Sequence, residues 1–393
     1  MAVGSVVGEQ QLRLWHYRLG HVPYPRLKKM FRNCLVRGMS VERSLLSTKA
    51  PVMGKCDACL RSHRRRRIYR AKYVDPDPDI VAPIVGGAIS RPVYLVCDWL
   101  VLVNCPSREG YLYVLMLADV PSRRTWGYPA KEKSEFPRLL RRWHEEQASK
   151  LEGGCRLELM HFHSDSAAEF MSAEVRKMLE SWGTRQTTSP VDTPELNGVI
   201  EEINGVVYGM ALAFILAAGL PSIFWWDAVD TVVNFVHDVL PANTSLGWMS
   251  PFEHWTGQRP DVGHFRVWGS KAYVDTPRTA ARKDMEERRF VGHMIGYSLR
   301  PLGWKVYVVG KPRPVVVSSN VVFDEHIPSQ VEEYFSEINK LFVPFDRDGA
   351  DVASFKWLEG TAHEDDTDLL LYETTRVGTW RWPGTSRRCA SPT

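Results

Sequence analysis

Three acidic residues stand where they could act together on a metal ion. Asp165 follows the apolar run from Leu157 to Phe162, which predicts a buried strand ending at an acid. Glu201 follows a loop rich in Pro and Asn-Gly and opens a long apolar segment, which predicts the first turn of a helix. Thirty-five residues separate these two acids, and Asp98 closes another apolar run, Val93 to Cys97.

Two strand ends and one helix start can bring these three carboxylates to one point. Carboxylates that lie close together repel and raise one another's pKa unless a cation neutralises them. Magnesium and manganese are hard ions that prefer oxygen ligands. Two such ions about 3.5 to 4 Å apart stabilise both the attacking and the leaving oxygen of a phosphoryl displacement. The pattern therefore predicts metal-dependent chemistry on a phosphodiester.

The sequence around these acids resembles the signature of retroviral and retrotransposon integrases, in which two Asp residues are followed by a Glu, with 35 residues between the second Asp and the Glu. It is most similar to the Ty1/copia group. The resemblance is carried by Asp98, Ser164-Asp165, Glu169-Phe170, the segment TPELNGVIEE at 193–202, and Asn204. It implies that Asp98, Asp165 and Glu201 are the catalytic triad and hold two Mg²⁺ or Mn²⁺ ions. Two departures stand out: Ser166-Ala167-Ala168 replaces the usual Asn-Gly-Gly, and Glu202 replaces a usually basic residue.

A second group of residues suits a different metal. His16 and His21, followed by Cys56 and Cys59, can supply two imidazole and two thiolate ligands to tetrahedral zinc. Together with the LWHxRLGH wording, they resemble the pre-integrase HHCC module found just upstream of copia-type cores, which implies one structural Zn²⁺. Two alternatives stay open: His16 and His21 could be surface or core-edge histidines, and His63 could replace one ligand.

Positive charge is concentrated at the N-terminal end. Residues 1–80 contain 17 Lys and Arg against 6 Asp and Glu, although the net charge of the chain is only +4. The run Arg64-Arg65-Arg66-Arg67 follows the pair Cys56 and Cys59 and fits a nuclear localisation patch, a phosphate-binding strip or a solvated face. We favour phosphate contacts and predict that Arg64, Arg65, Arg66, Arg67 and Asn197 contact nucleic acid.

The predicted elements give the fold class and the domain organisation. Three strands, then helix, strand, helix, strand and helix, follow one another from Arg91, an order that by itself is weak because α/β folds host many chemistries. With the resemblance it predicts an α/β chain: an RNase H-like core (a mixed five-stranded sheet with helices on both faces), a small N-terminal zinc-binding helical module and a C-terminal SH3-like β-barrel. The predicted bounds are 10–72 for the module, 73–90 for a linker, 91–260 for the core, 261–327 for the barrel and 328–393 for an acidic, mostly disordered tail.

The barrel prediction rests on five short strand patterns. These are Phe265 to Trp268, Lys271 to Val274, Phe290 to Tyr297, Trp304 to Val309 and Pro314 to Phe323. The segment from Pro221 to Leu240 reads as one long helix, and Asp119 reads as a structural acid.

Bulk composition argues against several protein classes. The 393 residues are 44% hydrophobic, which is ordinary for globular chains, and no 18-residue stretch is apolar and free of charge. The N-terminus lacks the basic start and apolar core of a secretory signal. Seven scattered cysteines do not form a disulfide framework, which favours a reducing compartment. We therefore expect no membrane span and a nuclear location, with a cytoplasmic phase during element replication.

The main functional prediction is a copia-type integrase, a fragment of a polyprotein truncated before reverse transcriptase. By resemblance it would trim the 3′ ends of element DNA and join them to target DNA, with double-stranded DNA as partner and a homo-oligomer as the working form. Two alternatives remain. The chain could be an inactive remnant that binds nucleic acid, which Glu202 and the altered 166–168 segment favour, or an RNase H-like nuclease that cleaves without joining.

Overall fold

The computed structural model of the chain describes residues 3–41, 56–62, 90–149, 156–188, 197–275, 288–311 and 313–325. The Arg64 to Arg67 run, almost all of the predicted linker and the predicted acidic tail lie outside these residues.

The N-terminal module is built from short helices. Its elements are α1 (Val3–Arg18), α2 (Tyr24–Arg32) and α3 (Asp57–Ser62). Leu27 and Met30 lie one turn apart on α2 and are both buried, as the apolar spacing requires. Trp15 of α1 is also buried and donates its indole N–H to the Ser40 carbonyl at 3.0 Å. The apolar faces of α1 and α2 therefore point into one core, and Lys29 and Arg32 of α2 are exposed.

The centre of the molecule is a mixed five-stranded sheet. Its strands are β1 (Ser90–Val101), β2 (Tyr113–Asp119), β3 (Thr125–Ala130), β4 (Arg156–Ser164) and β5 (Arg185–Thr188). Their order is β3-β2-β1-β4-β5. β1 pairs antiparallel with β2 and parallel with β4, and β4 pairs parallel with β5. This arrangement confirms the predicted mixed sheet and puts β1 and β4, which carry Asp98 and precede Asp165, side by side.

Helices cover both faces of this sheet. On one face, α4 (Phe136–Ser149) and α5 (Ala173–Ser181) bury Phe136, Trp143 and Leu179 against the strands. On the other face lie α6 (Asn197–Ala218) and α7 (Trp225–Thr231). The predicted helix from Pro221 to Leu240 is not one α-helix: a π-helical segment, Val232–Val236, separates α7 from α8 (His237–Val239). A hairpin of β6 (Ala242–Thr244) and β7 (Gly247–Met249) and a helix α9 (Pro251–Thr256) complete the core.

Helix α6 is the most apolar element among the described residues. By length and composition its segment Gly198–Ala218 could cross a membrane, but half of that segment is buried inside the protein. Phe214 stacks on Trp268, with ring centroids 5.6 Å apart, and lies edge-on to His21 at 6.2 Å. Because α6 is covered by the sheet, by the N-terminal module and by the C-terminal segment, its apolar character is that of a core helix.

A second, antiparallel five-stranded sheet forms the C-terminal part of the described chain. Its strands are β8 (Lys271–Asp275), β9 (Arg289–Leu299), β10 (Leu302–Tyr307), β11 (Val315–Ser318) and β12 (Val321–Asp324), in the order β11-β10-β9-β8-β12.

Two strand predictions in this region were wrong. Phe265 to Trp268 is not a strand. The backbone N–H of Arg266 donates to the Tyr297 hydroxyl and not to the backbone of a neighbouring strand, and Trp268 packs on Phe214. Pro314 to Phe323 is two strands, since the Asn320 N–H donates to Ser318 Oγ in a turn. After that turn β12 crosses to pair with β8, whereas β11 pairs with β10.

The module, the core and the C-terminal sheet share one hydrophobic core. A single cluster of buried residues contains Leu12 from α1, Ile203 from α6 and Tyr297 from β9. Ion pairs join the same parts: Arg18 of α1 pairs with Glu325 after β12, and Lys305 of β10 donates to Asp230 of α7 at 2.8 Å. The carboxylate site therefore lies in a body to which all three parts contribute.

Candidate carboxylate site and His/Cys metal centre

Asp98 and Asp165 are neighbours because of the register between β1 and β4. Val96 pairs with His163 in the parallel ladder. Asp98 follows Val96 by two residues on β1, and Asp165 follows His163 by two residues just after β4 ends, so both acids lie at the same end of this paired segment. Side chains alternate along β1, and Val96 belongs to the cluster on the α6 face, so Asp98 also faces α6.

An irregularity in β4 sets the direction of Asp165. Val93 pairs with Leu159 and Tyr94 pairs with His161, so Met160 is an extra residue in the ladder, and it is exposed. A one-residue bulge reverses which face the following side chains occupy. Without the extra residue, the side chains after it would change faces, and Asp165 would no longer share the α6 side with Asp98.

The third carboxylate approaches from α6. Glu201 lies in the early turns of this helix and is exposed, and Asn204 follows three residues later on the same face. Asn204 Nδ2 donates to Asp98 Oδ2 at 2.8 Å, which turns that face of α6 toward β1. The positive end of the helix dipole lies at the N-terminus of α6 and favours negative charge in this place.

The electrostatics of Asp98 reflect this grouping. Burial raises the pKa of the Asp98 carboxyl above its usual value, and the charges of Asp165 and Glu201 raise it further. The Trp99 N–H, 2.7 Å from Oδ1, and Asn204 act in the opposite direction by hydrogen bonding to the ionised form. Asp165 is held by the Ala167 N–H at 3.0 Å. Three carboxylates therefore share one neighbourhood in which a cation would relieve their repulsion.

Two other acids near the site have different surroundings. Glu169 pairs with Lys133 at 3.4 Å, whereas Asp98, Asp165 and Glu201 form no ion pair with another described residue. Asp119 is buried at the end of β2, where the Tyr94 N–H donates to it at 3.0 Å and Ser122 donates through both its N–H and its hydroxyl. Asp119 thus closes a turn, as a structural acid does.

Glu202 belongs to a different environment from Glu201. Successive residues on a helix point about 100° apart. The charge of Glu202 raises the pKa of Arg26, although burial lowers that pKa overall, so α2 of the N-terminal module lies close to this carboxylate. Arg26 also donates to the Pro241 carbonyl. The negative charge at 202 therefore has a cation near it, which the sequence alone did not indicate.

The residues fit a divalent cation of the magnesium type. The donor set is oxygen-rich, as hard cations require. Asn204 Oδ1 is buried and has no hydrogen-bond partner among the described residues, so an acceptor next to Asp98 is left open. A cation with its bound water would satisfy such an atom.

The His/Cys group has the dimensions of a tetrahedral zinc site. The ligand atoms of His16, His21, Cys56 and Cys59 all lie within 4.8 Å of one another. Cys59 Sγ lies 3.4 Å from His16 Nε2, and Cys56 Sγ lies 3.4 Å from His21 Nδ1. Zn–S bonds of about 2.3 Å and Zn–N bonds of about 2.0 Å at tetrahedral angles give N···S edges of roughly 3.5 Å. The chemistry and the spacing of these four residues suit one such ion.

Local backbone geometry explains why these four residues meet. Two successive residues after α1, Gly20 (φ 71°) and His21 (φ 61°), are left-handed, and the His21 N–H donates to the His16 carbonyl at 2.7 Å. This reversal returns His21 to the side of His16. His16 Nδ1 lies 2.9 Å from the Val22 carbonyl, which leaves Nε2 free to face Cys59.

The two thiols titrate as a pair. The hydrogen bond with Cys59 lowers the pKa of Cys56, and the same bond raises the pKa of Cys59. The His16 and His21 contacts also lower the pKa of Cys56. Zinc would require both as thiolates.

Of the predicted nucleic-acid contacts, Asn197 begins α6, near the carboxylates, whereas Arg64 to Arg67 lie outside the described residues. Sequence reasoning noted Asn204 only as part of a motif and did not foresee its bond to Asp98. It missed Arg26 altogether, because no spacing in the sequence relates residue 26 to residue 202.

The fold and these sites define an RNase H-like α/β protein with a His/Cys metal module before the core and a small β-domain after it. Two family models match this chain, one on each side of the central sheet. Residues 1–62 match the GAG-pre-integrase domain, and residues 270–335 match the retroviral polymerase SH3-like domain.

Curated relatives come from plant transposons. The chain is 24% identical over 318 residues to the retrovirus-related Pol polyprotein from transposon TNT 1-94 of Nicotiana tabacum, covering 81% of this chain and 22% of that protein. It is 26% identical over 315 residues to the Pol polyprotein from transposon RE2 of Arabidopsis thaliana, covering 79% and 19%. The chain thus spans about a fifth of the length of these relatives.

Among solved structures, the HTLV-2 integrase catalytic core domain in complex with magnesium, in a trimeric form, matches at 15% identity with a TM-score of 0.31. The match covers 42% of this chain and 98% of that one. A chain of the simian T-cell lymphotropic virus intasome in complex with PP2A regulatory subunit B56 gamma matches at 13% identity with a TM-score of 0.34, covering 63% and 84%.

The resemblance to copia-type retrotransposon integrases is confirmed, because both flanking domains match their family models and the relatives are copia-type Pol polyproteins. The predicted fold class is confirmed as well.

Proposed function

We propose that the chain is a DNA integrase that trims 3′ ends and joins them to target DNA by transesterification. The observation that supports the proposal is that the charges of Asp165 and Glu201 act on the buried carboxyl of Asp98, to which Asn204 of α6 donates at 2.8 Å. An oxygen-rich site with open acceptor capacity is what two-metal phosphoryl transfer requires.

Each residue has a defined task in this proposal. Two bound Mg²⁺ or Mn²⁺ ions would activate the nucleophile and stabilise the leaving oxygen. Asp98 and Asp165 from the sheet and Glu201 from α6 would hold these ions. The Trp99 N–H and Asn204 orient the Asp98 carboxylate by hydrogen bonds that favour its ionised form. No Ser, Tyr or Cys nucleophile is needed, since the reaction has no covalent protein intermediate.

The two steps use the same site with different nucleophiles. In trimming, a water oxygen attacks phosphorus, the bond from phosphorus to the 3′ oxygen breaks, and a free 3′ hydroxyl remains on the element. In joining, that hydroxyl attacks a target phosphodiester and displaces the target's own 3′ oxygen. The proton of each nucleophile passes to solvent, and the leaving oxygen takes one up from solvent. In joining, one phosphodiester bond forms and one breaks, so their number is conserved.

The remaining features follow from the same proposal. One structural Zn²⁺ bound by His16, His21, Cys56 and Cys59 would stabilise the fold of the N-terminal module. Double-stranded DNA would be the substrate at both steps, and a homo-oligomer would hold two element ends. Access to chromosomal DNA would require a nuclear location.

The test is a joining assay with the full chain. Blunt duplexes with randomised terminal base pairs are mixed with a plasmid target and Mg²⁺ or Mn²⁺, and joined molecules are amplified and sequenced, so the recognised end need not be known. Asp165→Asn is the control because it keeps the shape and removes the charge. We expect metal-dependent joined products from the natural chain and none above background from the variant.

Two other outcomes would identify the rival functions. Equal background from both proteins, with retained DNA binding, would indicate a nucleic-acid-binding remnant. Metal-dependent cleavage without joined products would indicate an RNase H-like nuclease.

A further inference from the structure

Helix α6 presents negative charge and no compensating positive charge at the carboxylate site. Its 22 residues contain no Lys, Arg or His, and both Glu201 and Glu202 are exposed. A DNA backbone approaching this site would meet repulsion from α6 itself. The phosphates must therefore be held by cations on another element.

The element that meets this need is α2. From Gln10 to Val41 the chain has seven Lys and Arg and no Asp or Glu. Arg26 on this helix donates to the Pro241 carbonyl, and its charge interacts with that of Glu202, which follows Glu201 in α6. The positive surface on α2 therefore begins near the first turns of α6.

Three cations on α2 are available for a ligand. Lys29 and Arg32 are exposed and Lys28 is half-exposed, and none of the three has an ion-pair partner within the described ranges. Lys28 and Arg32 are one turn apart, as are Lys29 and Arg32, so the side chains share one side of the helix. Lys29 is additionally held over the Trp248 ring, 3.5 Å from its centre.

We propose that Lys28, Lys29 and Arg32 of α2 form a binding surface for the backbone of double-stranded DNA and deliver it to the carboxylate site. The choice of duplex DNA rests on the proposed joining function. A cluster of unpaired cations next to an acidic helix face is complementary to a polyanion whose phosphates are closely spaced. An anionic membrane is a poorer fit, because the apolar residues of α2, Leu27 and Met30, are buried and cannot insert into lipid.

The experiment compares two triple variants of the full chain with the same change in charge. The first is Lys28→Gln, Lys29→Gln and Arg32→Gln. The matched control is Arg176→Gln, Lys177→Gln and Arg185→Gln, which removes three exposed cations of α5 and β5 that also lack an ion pair among described residues. Binding to a duplex of about thirty base pairs is measured over a range of salt, with zinc present and without Mg²⁺ or Mn²⁺.

Salt dependence reports the number of phosphate contacts. Each contact contributes about 0.9 to the slope of log K against log salt. We expect the magnitude of this slope to fall by about two to three in the α2 variant and by less than one in the control. The α2 variant should also bind any duplex sequence at least tenfold more weakly than the natural chain. Lys28→Arg with Lys29→Arg is expected to retain the natural slope, and unchanged melting temperatures exclude unfolding as the cause.

Several results would overturn the proposal. Equal slopes for the two triple variants would show that total charge, and not the α2 surface, governs binding. Loss of binding to phosphatidylserine vesicles with unchanged duplex binding would assign the surface to a membrane. The binding experiment contains no Mg²⁺ or Mn²⁺, so its result does not depend on catalysis. The binding surface and the proposed joining reaction are therefore tested independently of each other.

Discussion

At the scale of single residues, Asn204 has a defined role beside the carboxylates. It lies one helical turn after Glu201 and donates to Asp98 at 2.8 Å. This bond fixes the orientation of a carboxylate whose burial would otherwise favour its neutral form. Asn204 therefore acts as a positioning residue that keeps Asp98 ready to bind a cation.

Replacing Asn204 should weaken metal binding. Asn204→Leu has nearly the same size but cannot donate to Asp98, so we expect Mn²⁺ affinity to fall about 10- to 100-fold. Mn²⁺ binding is measured by electron paramagnetic resonance on the purified chain, which reports the site without depending on turnover.

The control for this change is Asn234→Leu. Asn234 donates to Asp230 at 2.7 Å, so the control removes an Asn–Asp hydrogen bond of the same kind on another helical segment. Equal Mn²⁺ affinity for the Asn204 variant and the natural chain would contradict the positioning role.

At the scale of elements, the turn after α1 and the short helix α3 form the His/Cys centre together. His16 and His21 are buried, whereas Cys56 and Cys59 are half-buried. The would-be Cβ of Gly20 lies 2.4 Å from Met210 Cε and 3.2 Å from Val236 Cγ1, so this turn is pressed against α6. A metal in this centre would hold α1, α3 and α6 in one arrangement.

Removing one thiolate should therefore release zinc and loosen the module. We expect Cys59→Ser to reduce zinc from about one ion per chain to well below one, and to lower the melting temperature by more than about 5 °C. Zinc is measured by mass spectrometry and stability by thermal unfolding.

Cys105→Ser is the control, because Cys105 is also half-buried, lies outside the His/Cys group and can keep its hydrogen bond to Ser222 as a serine. A natural chain with less than one zinc, whose melting is unaffected by a chelator, would remove the zinc assignment.

At the scale of the whole molecule, α6 is the element around which the other parts pack. Asn204 in its first half bonds to Asp98 of β1, and Phe214 near its C-terminal end contacts His21 of the module. Its last residue, Ala218, lies next to Gly269, just before the C-terminal sheet. That last contact is at Gly269, where an added Cβ would lie 2.1 Å from the Ala218 Cβ. The close approach requires glycine there.

Gly269→Ala should therefore destabilise the whole fold. Gly310→Ala is a close match, because the φ angles are 81° and 80° and the Gly310 position has nothing within 4 Å of an added Cβ. Both variants suffer the same backbone strain, and the difference between them is packing against α6. We expect Gly269→Ala to cost at least about 2 kcal/mol more in the free energy of unfolding. The measurement is urea unfolding, and values within about 0.5 kcal/mol of each other would show that the contact with α6 contributes little.

The elements of the core were predictable for a physical reason. Strands β1, β2 and β4 of the central sheet each contain an apolar run, and the helices show their own period, so local patterns specify these elements. The strand Phe265 to Trp268 was predicted wrongly because the same apolar residues pack as a loop on α6. A period-two pattern does not distinguish these cases when tertiary contacts supply the hydrogen bonds.

The sequence by itself determined the order of the elements, the residues able to bind metal and the excess of positive charge near the N-terminus. The tertiary structure decided which of these groups meet. The extra residue at Met160 sets the face on which Asp165 lies, the left-handed turn at Gly20 and His21 brings the His/Cys ligands together, and packing of α2 beside α6 puts Arg26 near Glu202. These are consequences of register and of long-range packing, in which residues far apart in the chain share one environment, and no local pattern encodes them.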